Sequence, residues 1–186
     1  MMPLLVIDTE TGGFDPLTCA LLEIAAIATD AGGRVVARHH NLISPVGEVE
    51  AQAVAVNGYN EAEWRFALAE RDAITDLMGF LAEHPTELVV GHNIGFDVGF
   101  IEQHAFRRGL DVELMLRRRV DTGKVFDARK LGIKTKRVGG SASLSSVAKA
   151  LGVTEPQKHR AMETARCSWS ASAGTGWRWR LGRRAW

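Results

Sequence analysis

The residues Leu4-Leu5-Val6-Ile7 form an unbroken apolar run that ends on Asp8-Thr9-Glu10. A strand that is apolar at every position is buried on both faces, and only a sheet covered on both sides provides that. The run stops in the turn chemistry of Thr11-Gly12-Gly13-Phe14-Asp15-Pro16. Leu21–Thr29 reads as a second strand, and Ala31-Gly32-Gly33 as a tight connection to a third, Arg34–Ile43, giving an antiparallel meander. Ile74, Leu77, Met78 and Leu81 stand at i, i+3, i+4 and i+7 and predict a helix closed by His84-Pro85. Leu88–Val90 is another short buried strand, and Phe96, Phe100 and Ile101, with Gly109 beyond them, mark a further helix. A strand at Arg119–Asp121, a helix from about Gly123 to Leu131 and a Lys- and Gly-rich loop, Gly132–Gly140, follow. Leu144, Val147, Ala148 and Leu151 predict a helix stopped by Gly152, and a last helix begins near His159. Strands first, then strands alternating with helices, predict an α/β sandwich with a mixed central sheet flanked by helices.

The 186 residues, 46% hydrophobic and 24% charged, suit one globular domain and exclude general disorder. Only two cysteines occur, Cys19 and Cys167, which excludes a disulfide framework and points to a reducing compartment. The apolar run at the start is too short for a signal-peptide core, and no stretch approaches the roughly 20 apolar residues of a membrane span. The expectation is a cytoplasmic protein with no membrane partner.

The net charge of +1 hides a division. Between Ala165 and Trp186 there are five arginines, four of the five tryptophans and no acid, so residues 1–164 carry 18 basic against 22 acidic groups. A second basic concentration, Arg117–Arg137, holds nine Lys and Arg against Asp121 and Asp127. It reads either as a solvated face or as a strip that contacts a nucleic-acid backbone.

Three segments carry candidate chemistry. Asp8 and Glu10, two residues apart on an extended segment, point the same way at the carboxyl end of the first strand, where open α/β sheets place ligands. Paired carboxylates at that distance repel, and a divalent cation relieves the repulsion. In Gly91-His92-Asn93-Ile94-Gly95-Phe96-Asp97 a strand again ends on polar residues and an acid enters the first helical turn. Asn93 and Asp97 there have an ordinary reading as cap and as favourable helix-terminal charge. The third segment, Lys158-His159-Arg160-Ala161-Met162-Glu163-Thr164-Ala165-Arg166, opens the last helix.

Taken together, Val6-Ile7-Asp8-Thr9-Glu10-Thr11-Gly12-Gly13, His92-Asn93-Ile94-Gly95-Phe96-Asp97 and His159-Arg160-Ala161 resemble the three motifs of the DEDDh, or DnaQ-like, 3′→5′ exonucleases. That family includes the proofreading epsilon subunit of bacterial DNA polymerase III, RNase T and oligoribonuclease. Leu21-Leu22-Glu23-Ile24-Ala25-Ala26, Ala53-Val54-Ala55-Val56-Asn57-Gly58, Val120-Asp121-Thr122 and Ser143-Leu144-Ser145-Ser146-Val147-Ala148 also match, with Asn57 where the family has His. The resemblance covers about residues 3–168 and implies a ribonuclease H-like domain over 1–168, followed by an atypical basic tail, 169–186. It implies hydrolysis at the 3′ end of single-stranded DNA or RNA, DNA in the first instance, with two Mg²⁺ or Mn²⁺ ions held by Asp8, Glu10 and Asp97. These hard oxygen donors suit such ions. His159 is the implied general base, its near-neutral titration suited to taking a proton from the attacking water. Thr9, Thr11, Val56 and Asn57 are implied to line the 3′-nucleotide pocket, with His92 and Asn93 in support. A polymerase subunit and a second copy of the chain are the partners the family suggests.

Two departures stand out. The family has an Asp five residues after the histidine; here that position is Thr164, with Glu163 beside it, so either Glu163 or Thr164 completes the metal set or the site is weakened. The alternative function is then a catalytically degenerate nucleic-acid-binding module. From Trp169 onward apolar periodicity is lost, which reads either as a reading-frame slip or as an Arg- and Trp-bearing end that grips nucleic acid.

Overall fold

The computed structural model describes residues 3–114, 117–125, 143–150, 161–162 and 164–165. Five strands form one mixed sheet in the order β3-β2-β1-β4-β5. They are β1 (Leu5–Thr11), β2 (Leu21–Thr29), β3 (Val35–Leu42), β4 (Leu88–Gly91) and β5 (Arg118–Asp121). The first three are antiparallel, whereas β4 pairs parallel with both β1 and β5. The apolar N-terminal run is therefore the central strand. It continues through Asp8, Thr9 and Glu10, so the acids are part of the ladder rather than of the turn that follows.

Alternation along β1 sorts its side chains between two cores. Leu5 and Ile7 pack with Ile24, Ala26 and Val89 beneath α3 (Glu70–Glu83) and α4 (Ile94–Arg107). Val6 packs with Ala25, Ile27 and Val90 on the other face, against Ala161 and Ala165 of the helical segment near the end of the described chain. The predicted helix around Ile74, Leu77, Met78 and Leu81 is α3, which carries buried Ala73, Ile74, Leu77 and Leu81 to the sheet. Edge strand β3 alternates between covered and exposed positions, as a strand with one free side does.

Two helices were not among the sequence expectations: α1 (Ala51–Asn57) and α2 (Glu61–Trp64). The first ends at Gly58, whose φ of 70° is the left-handed conformation that releases the chain from a helix. The second begins at Asn60, whose side chain accepts from Glu63 N–H, and it buries Trp64, whose indole N–H donates to Leu22 O at 2.9 Å. The helix expected from about Gly123 is described as α5 (Thr122–Val125); its continuation and the Gly132–Gly140 loop lie outside the described residues. The Leu144 helix is α6 (Leu144–Ala150), buried at Leu144, Val147 and Ala148. No helix among the described residues is long and apolar enough to cross a membrane.

The turn after β1 is tied to the segment that leads into α1. Gly12 N–H donates to Ala20 O, Gly12 O accepts from Glu50 N–H, and Ala20 N–H donates to Glu48 O. A side chain at Gly12 would collide with the Glu48 carbonyl, so this close approach requires glycine. The end of the central strand and the start of α1 thus form one rigid corner.

Candidate active site

Because β1 alternates, its three polar residues divide between the faces. Asp8 and Glu10 lie opposite Ala25 and Glu23 of β2, on the face that Ala161 and Ala165 cover. Thr9 faces α4. There, both its N–H (2.9 Å) and its hydroxyl (2.8 Å) donate to Oδ1 of Asp97, in the first turn of the helix. The first and second sequence motifs are thereby joined across 88 residues. Asp8 and Asp97 are both buried, with 7% and 3% exposure.

Burial sets the electrostatics. It raises the Asp8 carboxyl well above the usual carboxylate range, and the charges of Asp97, Glu10 and Glu23 add to the rise. Asp97 is pushed up to about 7, by burial first, with a further rise from Asp121 and opposed by the two Thr9 hydrogen bonds. Glu23, opposite Glu10, is almost fully buried, and its Oε1 lies 2.6 Å from His40 Nε2. Sequence reading placed Glu23 in a strand without seeing that it adds to the charge around Asp8. Its position follows from register alone.

The second motif is held from below. Asn93 starts α4 with φ 62° and makes no side-chain cap, contrary to the ordinary cap reading. Its N–H instead donates to Asp121 Oδ1 at 2.9 Å, and Gly123 N–H donates to the same oxygen at 2.9 Å. The Thr122 hydroxyl donates to Gly91 O and accepts from His92 Nδ1 at 3.1 Å, which orients the His92 ring. Asp121 and Thr122 are thus the support beneath the motif.

Thr9, Glu10, Thr11, Val56 and Asn57 line one pocket of about 260 Å³, together with Phe14, Phe96, Glu50 and Gln52. Val56 and Phe14 are exposed to the pocket mouth, Phe14 at 82%, and the rings of Phe14 and Phe96 meet edge to face at 6.3 Å. Asn57 is a wall residue rather than a free contact. Its Nδ2 donates to Thr11 O at 3.0 Å and its Oδ1 accepts from Tyr59 N–H at 2.9 Å, latching α1 to the end of β1. Phe14, Glu50 and Gln52 were missed from the sequence, because loop contacts bring them in.

Of the third motif, His159 and Glu163 lie outside the described residues. Thr164 is helical and half-buried, one position before sheet-covering Ala165 and three after Ala161. The basic strip is described through Lys124; Arg119 and Lys124 border an open groove of about 420 Å³ with Ile94, Gly95 and Asp121. The remainder of the strip and the basic tail lie outside the described residues.

The donor set fits a hard divalent cation. Asp8 and Asp97 are buried oxygen donors whose ionised forms are disfavoured where they stand, and a bound cation reverses that penalty. Among the described residues, no three His, Cys, Asp or Glu side chains stand close enough to hold an ion unaided. Cys19, the cysteine among the described residues, bonds to Glu50 at 3.5 Å.

Residues 5–169 match the profile of the exonuclease family RNase_T. Over 162 residues the chain is 31% identical to the DNA polymerase III PolC-type of Thermotoga maritima, and 30% identical to that of Thermotoga petrophila. Each match covers 87% of this chain and 11% of the relative, so the chain spans about a tenth of those relatives' length. Exonuclease I superposes with a TM-score of 0.79 at 21% identity, over 94% of this chain and 40% of its own. E. coli exonuclease I in complex with a dA16 oligonucleotide gives 0.75 at 21% identity, over 91% and 40%. The zinc ion bound form of the E. coli exonuclease I–ssDNA complex gives 0.77 at 22% identity, over 91% and 39%. At these identities the likeness is one of fold, the ribonuclease H-like fold that the mixed sheet and its flanking helices build.

Proposed function

The chain belongs to the RNase_T exonuclease family, DnaQ-like in its motifs, and on that premise we propose that it removes nucleotides from the 3′ end of single-stranded nucleic acid, DNA in the first instance. The observation that carries this reading is the clamp of Thr9 on Asp97, which sets two buried carboxyls, Asp8 of the central strand and Asp97 of α4, within reach of each other's charge, beside a pocket with an exposed aromatic ring at its mouth. Asp8, Glu10 and Asp97 would hold two Mg²⁺ or Mn²⁺ ions. When bound, such ions offset the charge of the scissile phosphate and stabilise the attacking and leaving oxygens.

The chain's own residues do the rest. Phe14 and Phe96 stack against the terminal base, and Thr11 and Val56 border its sugar. Asn57 keeps that wall in place through Thr11 O. Thr9 fixes the Asp97 carboxyl, and Asp121 and Thr122 fix the turn that carries it. His159 accepts the proton of the attacking water. Arg119 and Lys124 meet backbone phosphates of the same strand. Kinship with PolC-type polymerases supports a proofreading setting beside a polymerase.

One observation favours a second reading. Thr164 stands where the family has a carboxylate, and a neutral hydroxyl there favours a module that binds nucleic acid without cutting it. The test uses 5′-labelled single-stranded DNA and RNA in Mg²⁺ and in Mn²⁺, with Asp8→Ala as control. A ladder shortening from the 3′ end, lost in Asp8→Ala, supports the exonuclease. Equal inertness of both proteins with retained strand binding supports the module.

A further inference from the structure

About two turns along α4 from Asp97, the ring of His104 is fully buried between two acceptors. Its Nδ1 meets a carboxylate oxygen of Glu70 and its Nε2 meets Cys19 O at 3.1 Å. The ring is thereby pinned between α3 and the turn that carries Cys19. Glu70 also accepts from Arg108 Nε. One carboxylate is therefore shared between the His104 ring and the Arg108 guanidinium.

Two more guanidinium groups border the same place. Arg71 donates to Arg108 O and Arg107 donates to Leu17 O. Both are exposed, and both are held by main-chain carbonyls that carry no formal charge, so they are positioned without being neutralised. Together with Arg108 they line an open groove of about 720 Å³ between the start of α3 and the end of α4, in which Glu70 is the sole acidic lining residue among those described. A ladder of rings, Phe14–Phe96–Phe100–His104, runs back from this groove to the nucleotide pocket. Arg107 stands eleven residues along α4 from Phe96, about 16 Å at the helical rise. Leu17, whose carbonyl Arg107 grips, belongs to the same turn as Phe14 and is exposed at 62%.

We propose that this groove binds backbone phosphates of the strand whose 3′ end occupies the nucleotide pocket, with Arg71, Arg107 and Arg108 as the contacting cations. The assignment deepens the exonuclease reading and rests on it for the position of the strand end. Charge decides the occupant. Three guanidinium groups against one carboxylate in the groove lining select a polyanion, and planar, multi-donor groups suit phosphate oxygens. The consequence is that affinity grows with strand length beyond the terminal nucleotides.

The experiment compares binding of oligothymidylate with binding of a thymidine dinucleotide, in EDTA so that nothing is cut, for wild type and for Arg71→Gln/Arg107→Gln. Melting curves monitor the fold. The double variant is expected to bind the long strand about tenfold more weakly, and its slope of log affinity against log salt is expected to fall by about 1.4, for two lost phosphate contacts. Arg107→Lys, which keeps the charge, recovers part of the loss. Unchanged long-strand affinity and salt slope in the double variant overturn the proposal and leave the groove to another anion, such as an acidic protein segment. Failure of the wild type to prefer the long strand overturns it as well. Nucleotide release by the wild type in Mn²⁺ reports separately on the exonuclease reading: strand retention through the groove without release sinks the hydrolysis and keeps the groove.

Discussion

Thr9 gives both of its donors to one oxygen of Asp97, its N–H at 2.9 Å and its hydroxyl at 2.8 Å. The bond joins the central strand to the first turn of α4 and aims a carboxyl that burial otherwise discourages from ionising. Thr9→Val removes the hydroxyl bond and keeps the shape. The loss of a hydrogen bond to a charged group, about 1.5 kcal/mol, translates into roughly a tenfold fall in nucleotide release. It also leaves Asp97 with a still higher titration point, because the lost bond favoured the charged form. Thr9→Ser restores both, and the pH profile of the release rate separates this positioning role from a general loss of stability.

The raised carboxyls make the metal-free protein pH-dependent in a defined direction. Asp97 titrates at about 7 in the fold against 3.8 as a free side chain, and Asp8 is shifted the same way. Between those values the folded state binds more protons than the unfolded state, so stability present at pH 4 is lost as the pH rises toward 7. The expected loss is of the order of a few kcal/mol. Thermal melting in EDTA should show the midpoint falling across that window, with Mn²⁺ restoring it at pH 7. Asp97→Asn, whose amide oxygen still accepts from Thr9, should flatten the fall.

Asn57 is expected to matter through the wall it holds. Asn57→Ala strands Thr11 O and Tyr59 N–H in a buried place, at a cost of about 1–3 kcal/mol. Asn57→Asp is worse at neutral pH, since a carboxylate oxygen then faces the Thr11 carbonyl. Chemical denaturation measures the order Asn, Ala, Asp, and KM for the strand rises with the same order.

Much of this was legible in the sequence for a simple reason. Leu4–Ile7 is apolar at every position because it is the central strand, and Ile74 to Leu81 repeats at the helical period because one side faces the sheet. Helix α1 escaped detection because it is seven residues long and mostly exposed, so that no apolar face marks it. The acids of the first two motifs were visible as residue types. Their clamp through Thr9, the charge of Glu23 and the His104 pair were not, since each depends on partners 15 to 88 residues away that register and packing bring together.

Thr164 offers the opposite kind of change. It sits half-buried between Ala161 and Ala165, on the helix that covers the Asp8 face of the sheet. Thr164→Asp adds the carboxylate that the family places there, and it is expected to raise the Mg²⁺-supported rate at least about tenfold while narrowing the advantage of Mn²⁺. An unchanged ratio of the two rates would show that this position does not touch the metal set.

The central claim is that Asp8 and Asp97 form a cation-dependent hydrolytic centre. The most direct measurement is the initial rate of nucleotide release from the 3′ end of a single strand in Mn²⁺, for wild type, Asp8→Asn and Asp97→Asn in parallel. The predicted result is release by the wild type that EDTA abolishes, and a fall of about a thousandfold or more in each variant with folding intact. Release that persists in EDTA, or that survives in either variant at the wild-type rate, would contradict it.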